Sequence, residues 1–233
     1  MIEKFIEKLN VLYEDNHVIV VEKFEDVLSQ KDYTDDISML DIVKYYIKEK
    51  YQKKGNVYLG LVHRLDRRVG GLMVFAKTSK AASRLSTEIA NHNFYKTYLA
   101  CVKNKPLKLE DTLIDYLIKD EKKRLAKIVS KDTLNAQEAI LKYKYINSFA
   151  YNNQIFSFLK IDLITGRYNQ IRAQLSYHNM PIIGDYKYQG ILHSSRRLGL
   201  WCYRLAFKHP TKDEWLEFTL KPEKDFWNFL QKE

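Results

Sequence analysis

The stretch that decides the fold of this chain is residues 63–76, which read HRLDRRVGGLMVFA. Three arginines surround one carboxylate, Asp66, and Gly70-Gly71 leads into the apolar run 72–76, which is typical of a buried strand. Neighbouring cations favour the ionised form of an aspartate and attract phosphate groups, and paired glycines allow a close backbone approach. A solvated turn is the alternative interpretation of these residues.

A second dense stretch, residues 163–172, reads LITGRYNQIR and joins the end of a strand to the start of a helix. Gly166 suits the turn, and the amide groups at the helix start, together with Arg167, predict a corner that favours anions. Arg172 lies one turn into the helix, where a guanidinium can bind a carboxylate with two hydrogen bonds. Either stretch alone is a weak signal.

Together the two stretches carry a family resemblance. His63-Arg64-Leu65-Asp66 followed by Gly71 resembles the H-R-L-D-x-x-T-S-G signature of the RluA-type pseudouridine synthase family, and residues 165–172 resemble its T-G-R-x-H-Q-I-R. Supporting matches follow the family order along nearly the whole chain: residues 11–15 with 20–23, 96–100, 181–185 through 188, and His209-Pro210.

The resemblance implies an RNA uridine isomerase that works through one aspartate. It assigns that role to Asp66, as nucleophile or as base, and pairs Arg172 with this carboxylate to keep it ionised and oriented. The reaction detaches uracil from its ribose and rejoins it through carbon 5, so it needs no cofactor.

The same resemblance implies how RNA is held. Uracil in a stacked helix must be flipped out, and Tyr98 matches the tyrosine that stacks on the flipped base. Arg64 matches the residue that fills the vacated stack or holds the flipped phosphate. Arg67, Arg68 and Arg167 are expected to contact phosphates, and the basic stretches Lys119–Lys131 and Lys187–Arg197 could widen the RNA footprint.

Some positions depart from the family pattern. Val69 and Gly70 replace the usual Thr-Ser pair, so the bracing of the loop after Asp66 must come from elsewhere in the chain. Asn169 replaces a common histidine but can still donate and accept hydrogen bonds. Phe24-Glu25-Asp26 interrupts the usual K-P-x-G after Lys23, which leaves the conformation of that loop open.

The sequence predicts an α+β fold with a mixed, mainly antiparallel sheet. The resemblance specifies about eight strands in two subdomains flanked by helices, forming a single catalytic domain over residues 1–233 without an appended N-terminal RNA-binding module. The patterns predict hairpins over residues 11–23, 136–164 and 200–220, strands over 72–76 and 95–102, and helices from Ser38, from Ser79 to about Asn91, and over 168–177.

Composition and charge restrict the function classes. The chain has 39 Lys and Arg against 29 Asp and Glu, a net charge of +10, which favours a polyanionic partner such as RNA. It has no phosphate-binding glycine motif, metal-ligand spacing or nucleophile elbow, so we expect neither cofactor nor metal. Cys101 and Cys202 lie in apolar runs, which predicts buried thiols in a reducing compartment.

No signal peptide or apolar span is present in the sequence, so we expect a cytoplasmic protein without membrane contact. The family resemblance implies a monomer. Large-subunit rRNA is the favoured substrate and tRNA a possible one, because specificity would depend on RNA shape. Two alternatives remain: a non-catalytic RNA-binding paralogue of the same fold, and a metal-dependent nuclease, which would need clustered carboxylates that the chain lacks.

Overall fold

A computed structural model describes residues 2–188, 197–223 and 225–230. The chain divides into two compact units, Met1–Tyr95 with Cys202–Lys221, and Lys96–Trp201 with Pro222–Glu233. The predicted single catalytic domain stays a prediction. Most of the basic stretch Lys187–Arg197 lies outside the described residues.

Four helices and eleven strands are defined in the described residues. In chain order they are α1 (Glu3–Ile6), β1 (Val11–Glu14), β2 (Val18–Lys23), α2 (Met39–Lys50), β3 (Gly60–Leu61), β4 (Gly70–Ala76), α3 (Ser79–Ala90), β5 (Phe94–Lys103), β6 (Glu110–Asp120), β7 (Leu125–Val129), β8 (Gln137–Tyr151), β9 (Gln154–Leu163), α4 (Gln170–Tyr177), β10 (Leu200–Lys208) and β11 (Trp215–Thr219). Two short 3₁₀ helices cover Tyr186–Tyr188 and Asp225–Phe229.

The core of the first unit is built around β4. All seven of its residues are buried, as expected for an apolar strand with neighbours on both sides. The strand order is β1-β2-β4-β10, with β3 beside β4 and β11 beside β10. β2 pairs antiparallel with β4 from Val18↔Ala76 to Lys23↔Gly71, which places Lys23 at the end of the sheet where β4 begins.

The predicted hairpin over residues 11–23 is confirmed. The Asp15 carboxylate accepts hydrogen bonds from the His17 and Val18 amides at the turn, at 2.7 and 2.8 Å, and from the His209 ring at 2.8 Å. Burial opposes ionisation of this carboxylate, but these bonds outweigh it and lower the pKa of Asp15 to about 2.

Polar caps start the two long helices; Ser38 is the predicted cap of α2, whereas α3 begins at the predicted Ser79 but is capped by Thr78. Ser38 and Asp41 form a capping box at the start of α2, and the Thr78 hydroxyl caps α3 through the Ala81 amide. Each cap satisfies a backbone amide that has no partner inside its helix, which fixes the first turn.

The second unit is a twisted sheet with strand order β5-β9-β8-β6-β7, covered on one face by α4. Leu117 and Ala139 from the sheet pack against Ala173 of α4 and Tyr188. The predicted β8–β9 hairpin is confirmed, and its turn residues Asn152 and Asn153 both have positive φ, as a tight hairpin turn requires.

The fold class is confirmed: the protein is α+β, and the sheet is mainly antiparallel, as in the pairs β1–β2, β2–β4, β3–β4, β5–β9, β6–β7, β6–β8, β8–β9 and β10–β11. Eleven strands exceed the predicted eight because β3, β6 and β7 were not predicted. α4 begins at Gln170, two residues later than predicted, since Asn169 has a left-handed backbone with φ of 49°. Cys101 and Cys202 are buried free thiols, as predicted.

Among the described residues, none of the helices has the length and apolar character needed to cross a bilayer.

Candidate active site

Asp66 lies on the loop between β3 and β4, and its side chain is half-buried. The carboxylate Oδ1 accepts a hydrogen bond from the Arg68 amide at 3.2 Å, and the Asp66 carbonyl accepts one from the Val69 amide at 3.0 Å. The turn that follows Asp66 therefore orients the carboxylate through its own backbone.

The side chain of Lys23, at the end of β2, binds the carbonyl oxygens of the turn that follows Asp66. Its Nζ is fully buried and donates to the carbonyl oxygens of Phe24 at 2.9 Å, Arg67 at 2.9 Å and Val69 at 2.7 Å. Burial lowers the pKa of Lys23 to about 7, and the nearby Asp66 carboxylate partly offsets this effect. No role was predicted for Lys23, and its signal in the sequence was a lysine after the apolar run 18–21, within the matched residues 20–23.

The arginines predicted to bind RNA in this unit are on the same loop as Asp66. Arg64 is exposed, and within the described part of the chain its guanidinium makes no hydrogen bond or ion pair. Arg67 donates to the Asp26 carbonyl at 3.1 Å and to the Asp36 carboxylate at 2.7 Å. The Arg67–Asp36 pair is about half exposed on both sides, so a phosphate can displace it at small cost.

The turn at residues 165–170 in the second unit is closed by the buried side chain of Gln170. Its Oε1 accepts from the Arg167 amide and from the Thr165 hydroxyl, both at 2.9 Å. The Arg167 amide is therefore occupied by Gln170, and the anion-binding corner expected from the helix-start amides together with Arg167 stays a prediction. The exposed Arg167 side chain donates from Nε to the Glu138 carbonyl at 2.9 Å, which holds its stem against β8.

Arg172 is buried on α4 and forms a two-bond ion pair with Asp185. Nε donates to Oδ2 at 2.6 Å and Nη2 to Oδ1 at 2.7 Å, and the guanidinium lies 5.1 Å from the ring centroid of Tyr188. The expectation that Arg172 binds a carboxylate with two hydrogen bonds is thus confirmed, with Asp185 as that partner. The pairing of Arg172 with Asp66 stays a prediction.

Sequence reasoning did not single out Asp185. Its carboxylate is completely buried, and it follows Gly184, whose φ of 72° belongs to the left-handed region. The signal in the sequence was the Gly184-Asp185 pair within the matched run 181–188, to which no role was attached.

Tyr98 lies in β5 and is only 5% exposed. Its backbone pairs with Ile161 of β9, four residues ahead of Thr165, and the neighbouring Thr97 hydroxyl donates to Asp162 at 2.7 Å. The β5 strand thereby lies beside the start of the 165–172 stretch.

The predicted site residues fall into two groups. Asp66, Arg64 and Arg67 belong to the first unit; Tyr98, Arg167 and Arg172 belong to the second, where Asp185 joins them. Within each group the side chains come from one loop or from neighbouring strands and the helix that follows.

The fold is that of pseudouridine synthase domains. The structure resembles the human RNA pseudouridylate synthase domain-containing protein 4 with a TM-score of 0.79 and 21% identity, over 96% of this chain and 93% of that one. The sequence model of RNA pseudouridylate synthases matches residues 17–177.

Curated relatives agree with this match. An uncharacterized RNA pseudouridine synthase of Helicobacter pylori is 30% identical over 97% of this chain and 70% of its own length. A tRNA pseudouridine synthase C of Vibrio cholerae is 26% identical over 87% and 86%, and a ribosomal large subunit pseudouridine synthase D of Borreliella burgdorferi is 27% identical over 82% and 57%.

The chain therefore belongs to the RNA pseudouridylate synthase family, as its RluA-type motifs predict. It is an isomerase that converts uridine in RNA to pseudouridine.

Proposed function

We propose that this enzyme converts specific uridines of structured RNA, preferentially in the large-subunit rRNA, by base flipping and an aspartate-dependent rearrangement. The observation that carries the proposal is the family match over residues 17–177, which spans Asp66, Tyr98 and Arg172 together. The braced turn after Asp66 and the buried Arg172–Asp185 pair support it, because an ionic rearrangement needs fixed charges.

The chemistry assigned to Asp66 balances without a cofactor. The bond between ribose C1′ and uracil N1 breaks, the base turns over, and a bond forms between C1′ and C5. The proton on C5 leaves to solvent, and N1 gains one. Asp66 acts either as nucleophile at the ribose or as base, and both roles require the ionised carboxylate.

RNA binding is assigned to the aromatic and cationic side chains. Unstacking a uracil costs a few kcal/mol, and stacking on Tyr98 returns about 1–3 kcal/mol. Arg64 replaces the flipped base or holds its phosphate, and Arg67 and Arg167 bind phosphates, as their exposed guanidiniums permit. Arg172 pairs with Asp66 in this proposal.

The preference for large-subunit rRNA over tRNA comes from the sequence-based expectation, because the relatives do not separate the two RNA classes. One relative is named for the ribosomal large subunit and another for tRNA, at nearly equal identity. RNA shape, not a motif, decides between them. We further propose that the protein works in the cytoplasm as a monomer, which size-exclusion chromatography with light scattering will test.

The experiment is a pseudouridine map of rRNA and tRNA from cells that lack the gene, complemented with the wild-type gene or with Asp66→Asn. We expect at least one large-subunit rRNA site to disappear, to return with the wild-type gene and to stay absent with Asp66→Asn. Sites lost only from tRNA would overturn the rRNA preference. An unchanged map in both RNA classes would contradict the proposed function.

A further inference from the structure

We propose that Ser29 is a positioning residue for Asp66, acting through the backbone of Leu65. The inference rests on the proposed function, since it concerns the carboxylate to which the reaction is assigned. Ser29 lies in the segment between β2 and α2, 36 residues before Leu65 in the chain.

The Ser29 hydroxyl makes two hydrogen bonds with one residue. It donates to the Leu65 carbonyl oxygen at 2.7 Å and accepts from the Leu65 amide at 3.0 Å. Ser29 and Leu65 are both buried. A single hydroxyl thus fixes both peptide groups of the residue that immediately precedes Asp66, and water cannot easily replace it.

The Ser29 backbone is itself anchored to a helix. The Met39 amide donates to the Leu28 carbonyl at 2.7 Å, and the Leu40 amide donates to the Ser29 carbonyl at 3.2 Å. These amides are at the start of α2, whose first turn the Ser38–Asp41 capping box holds rigid. The position of the hydroxyl is therefore set by a helix terminus, not by a loose loop.

The backbone is therefore held by hydrogen bonds on both sides of Asp66, each made by a different buried side chain. Ser29 holds the residue before it, and Lys23 holds the carbonyls of Arg67 and Val69 after it. Removing the Ser29 hydroxyl frees the chain on one side only, which tilts the peptide that carries the carboxylate. Displacements of about 1 Å at a reacting group cost rates on the order of a hundredfold.

A purely structural serine would behave differently, and Ser157 supplies the comparison. Ser157 is fully buried in β9, and its hydroxyl bonds with that of Ser148 at 2.9 Å. Within the part of the chain that the structure describes, the Ser157 hydroxyl bonds with no predicted site residue, so Ser157→Ala removes a buried hydroxyl of the same kind elsewhere.

The test compares Ser29→Ala, Ser29→Thr and Ser157→Ala in the full chain. The probes are transcripts of large-subunit rRNA and of tRNAs labelled with [5-³H]uridine. The readouts are the single-turnover rate of tritium release, RNA affinity by filter binding and thermal midpoint. Ser29→Ala should slow release by at least about tenfold with RNA affinity within about twofold of wild type. Ser29→Thr should recover most of the rate, and Ser157→Ala should keep it despite lower thermal stability.

A second readout does not depend on activity. Hydrogen exchange of peptides that cover residues 62–70 should accelerate in Ser29→Ala and remain at the wild-type rate in Ser157→Ala. A wild-type release rate in Ser29→Ala, or unchanged exchange at Leu65, would overturn the positioning role. Absence of tritium release from the wild-type enzyme would instead contradict the proposed function, and faster exchange in Ser29→Ala would then still support the clamp on Leu65.

Discussion

The buried ion pair between Arg172 and Asp185 fixes the charge and the orientation of the guanidinium. Asp185→Asn keeps the size of the side chain but removes its charge and turns one acceptor into a donor that faces Arg172. We expect the single-turnover rate to fall at least about tenfold and the thermal midpoint to fall, because a buried charge loses its partner.

Asp111→Asn in the same unit is the matched control, since Asp111 is a partly exposed carboxylate that pairs with the exposed Lys108 and accepts from the Thr112 amide. RNA affinity should remain within about threefold of wild type in both variants. An Asp185→Asn enzyme with the wild-type rate would show that Asp185 does not act through Arg172.

The buried Lys23 predicts a specific dependence of stability on pH. Its pKa is about 7 in the folded protein, because burial disfavours the ammonium, and near 10.4 when unfolded. Between these values the unfolded state binds more protons, so the Lys23 contribution to the free energy of unfolding rises with pH.

Lys23→Met should lower stability, since the carbonyl oxygens around the buried Nζ lose their donor, and should remove this pH dependence. In urea titrations the stability difference between wild type and Lys23→Met should widen by about 1 kcal/mol per pH unit from pH 7.5 to 9.5. The exposed Lys31→Met should match wild type throughout. A difference that does not change with pH would mean that Lys23 keeps an ordinary pKa.

Single residues could be predicted from sequence only where a motif contains them. Asp66, Arg172 and Tyr98 lie in quoted motifs, although their roles still await mutagenesis. Lys23 and Asp185 also lie in matched runs and Ser29 lies outside them, but none of the three could be given a role, because each acts through contacts 13 to 46 residues away along the chain. The spacing of apolar residues, from which helices and strands are predicted, carries no information about contacts between distant parts of the chain.

Gly71, at the start of strand β4, is another residue whose role depends on a contact that is distant in the sequence. Its φ is 110°, and a Cβ at this position would overlap the carbonyl oxygen of Cys202 in β10. Gly71→Ala should therefore lower the free energy of unfolding of the first unit by about 2 kcal/mol or more, because the variant combines a strained backbone dihedral with a steric clash. Gly55→Ala is the control, because nothing lies within 4 Å of its added carbon. Equal urea midpoints for the two variants would contradict this account.

Strands were predicted well where apolar residues or turn residues dominate, as in β4 and in the β8–β9 hairpin. β6 was missed because an acid occupies one of its inward positions. The Asp115 carboxylate is buried between Gln174, at 2.8 Å, and His178, at 3.1 Å, both contributed by the α4 region. Alternation of apolar and polar residues cannot reveal a strand whose buried carboxylate is hydrogen-bonded by side chains 59 and 63 residues later in the chain.

The whole molecule carries a net charge of +10, which predicts RNA binding that weakens with salt. Replacing Arg67 and Arg167 together by Ala should reduce the slope of log affinity against log salt by about 1–2, since each phosphate contact on single-stranded RNA contributes about 0.7. Arg204→Ala, which breaks an exposed pair with Glu217, should leave the slope unchanged. Equal slopes for both variants would exclude phosphate contacts by Arg67 and Arg167.

The central claim is that the Asp66 carboxylate carries out the isomerisation, and Asp66→Asn tests it most directly. The side-chain amide introduced by this substitution keeps an oxygen that can accept the hydrogen bond from the Arg68 backbone amide, so the loop should fold normally. In single-turnover assays on [5-³H]uridine-labelled RNA, we expect tritium release to fall at least about a thousandfold, with RNA affinity within about twofold of wild type. Tritium release by Asp66→Asn at the wild-type rate would contradict the claim.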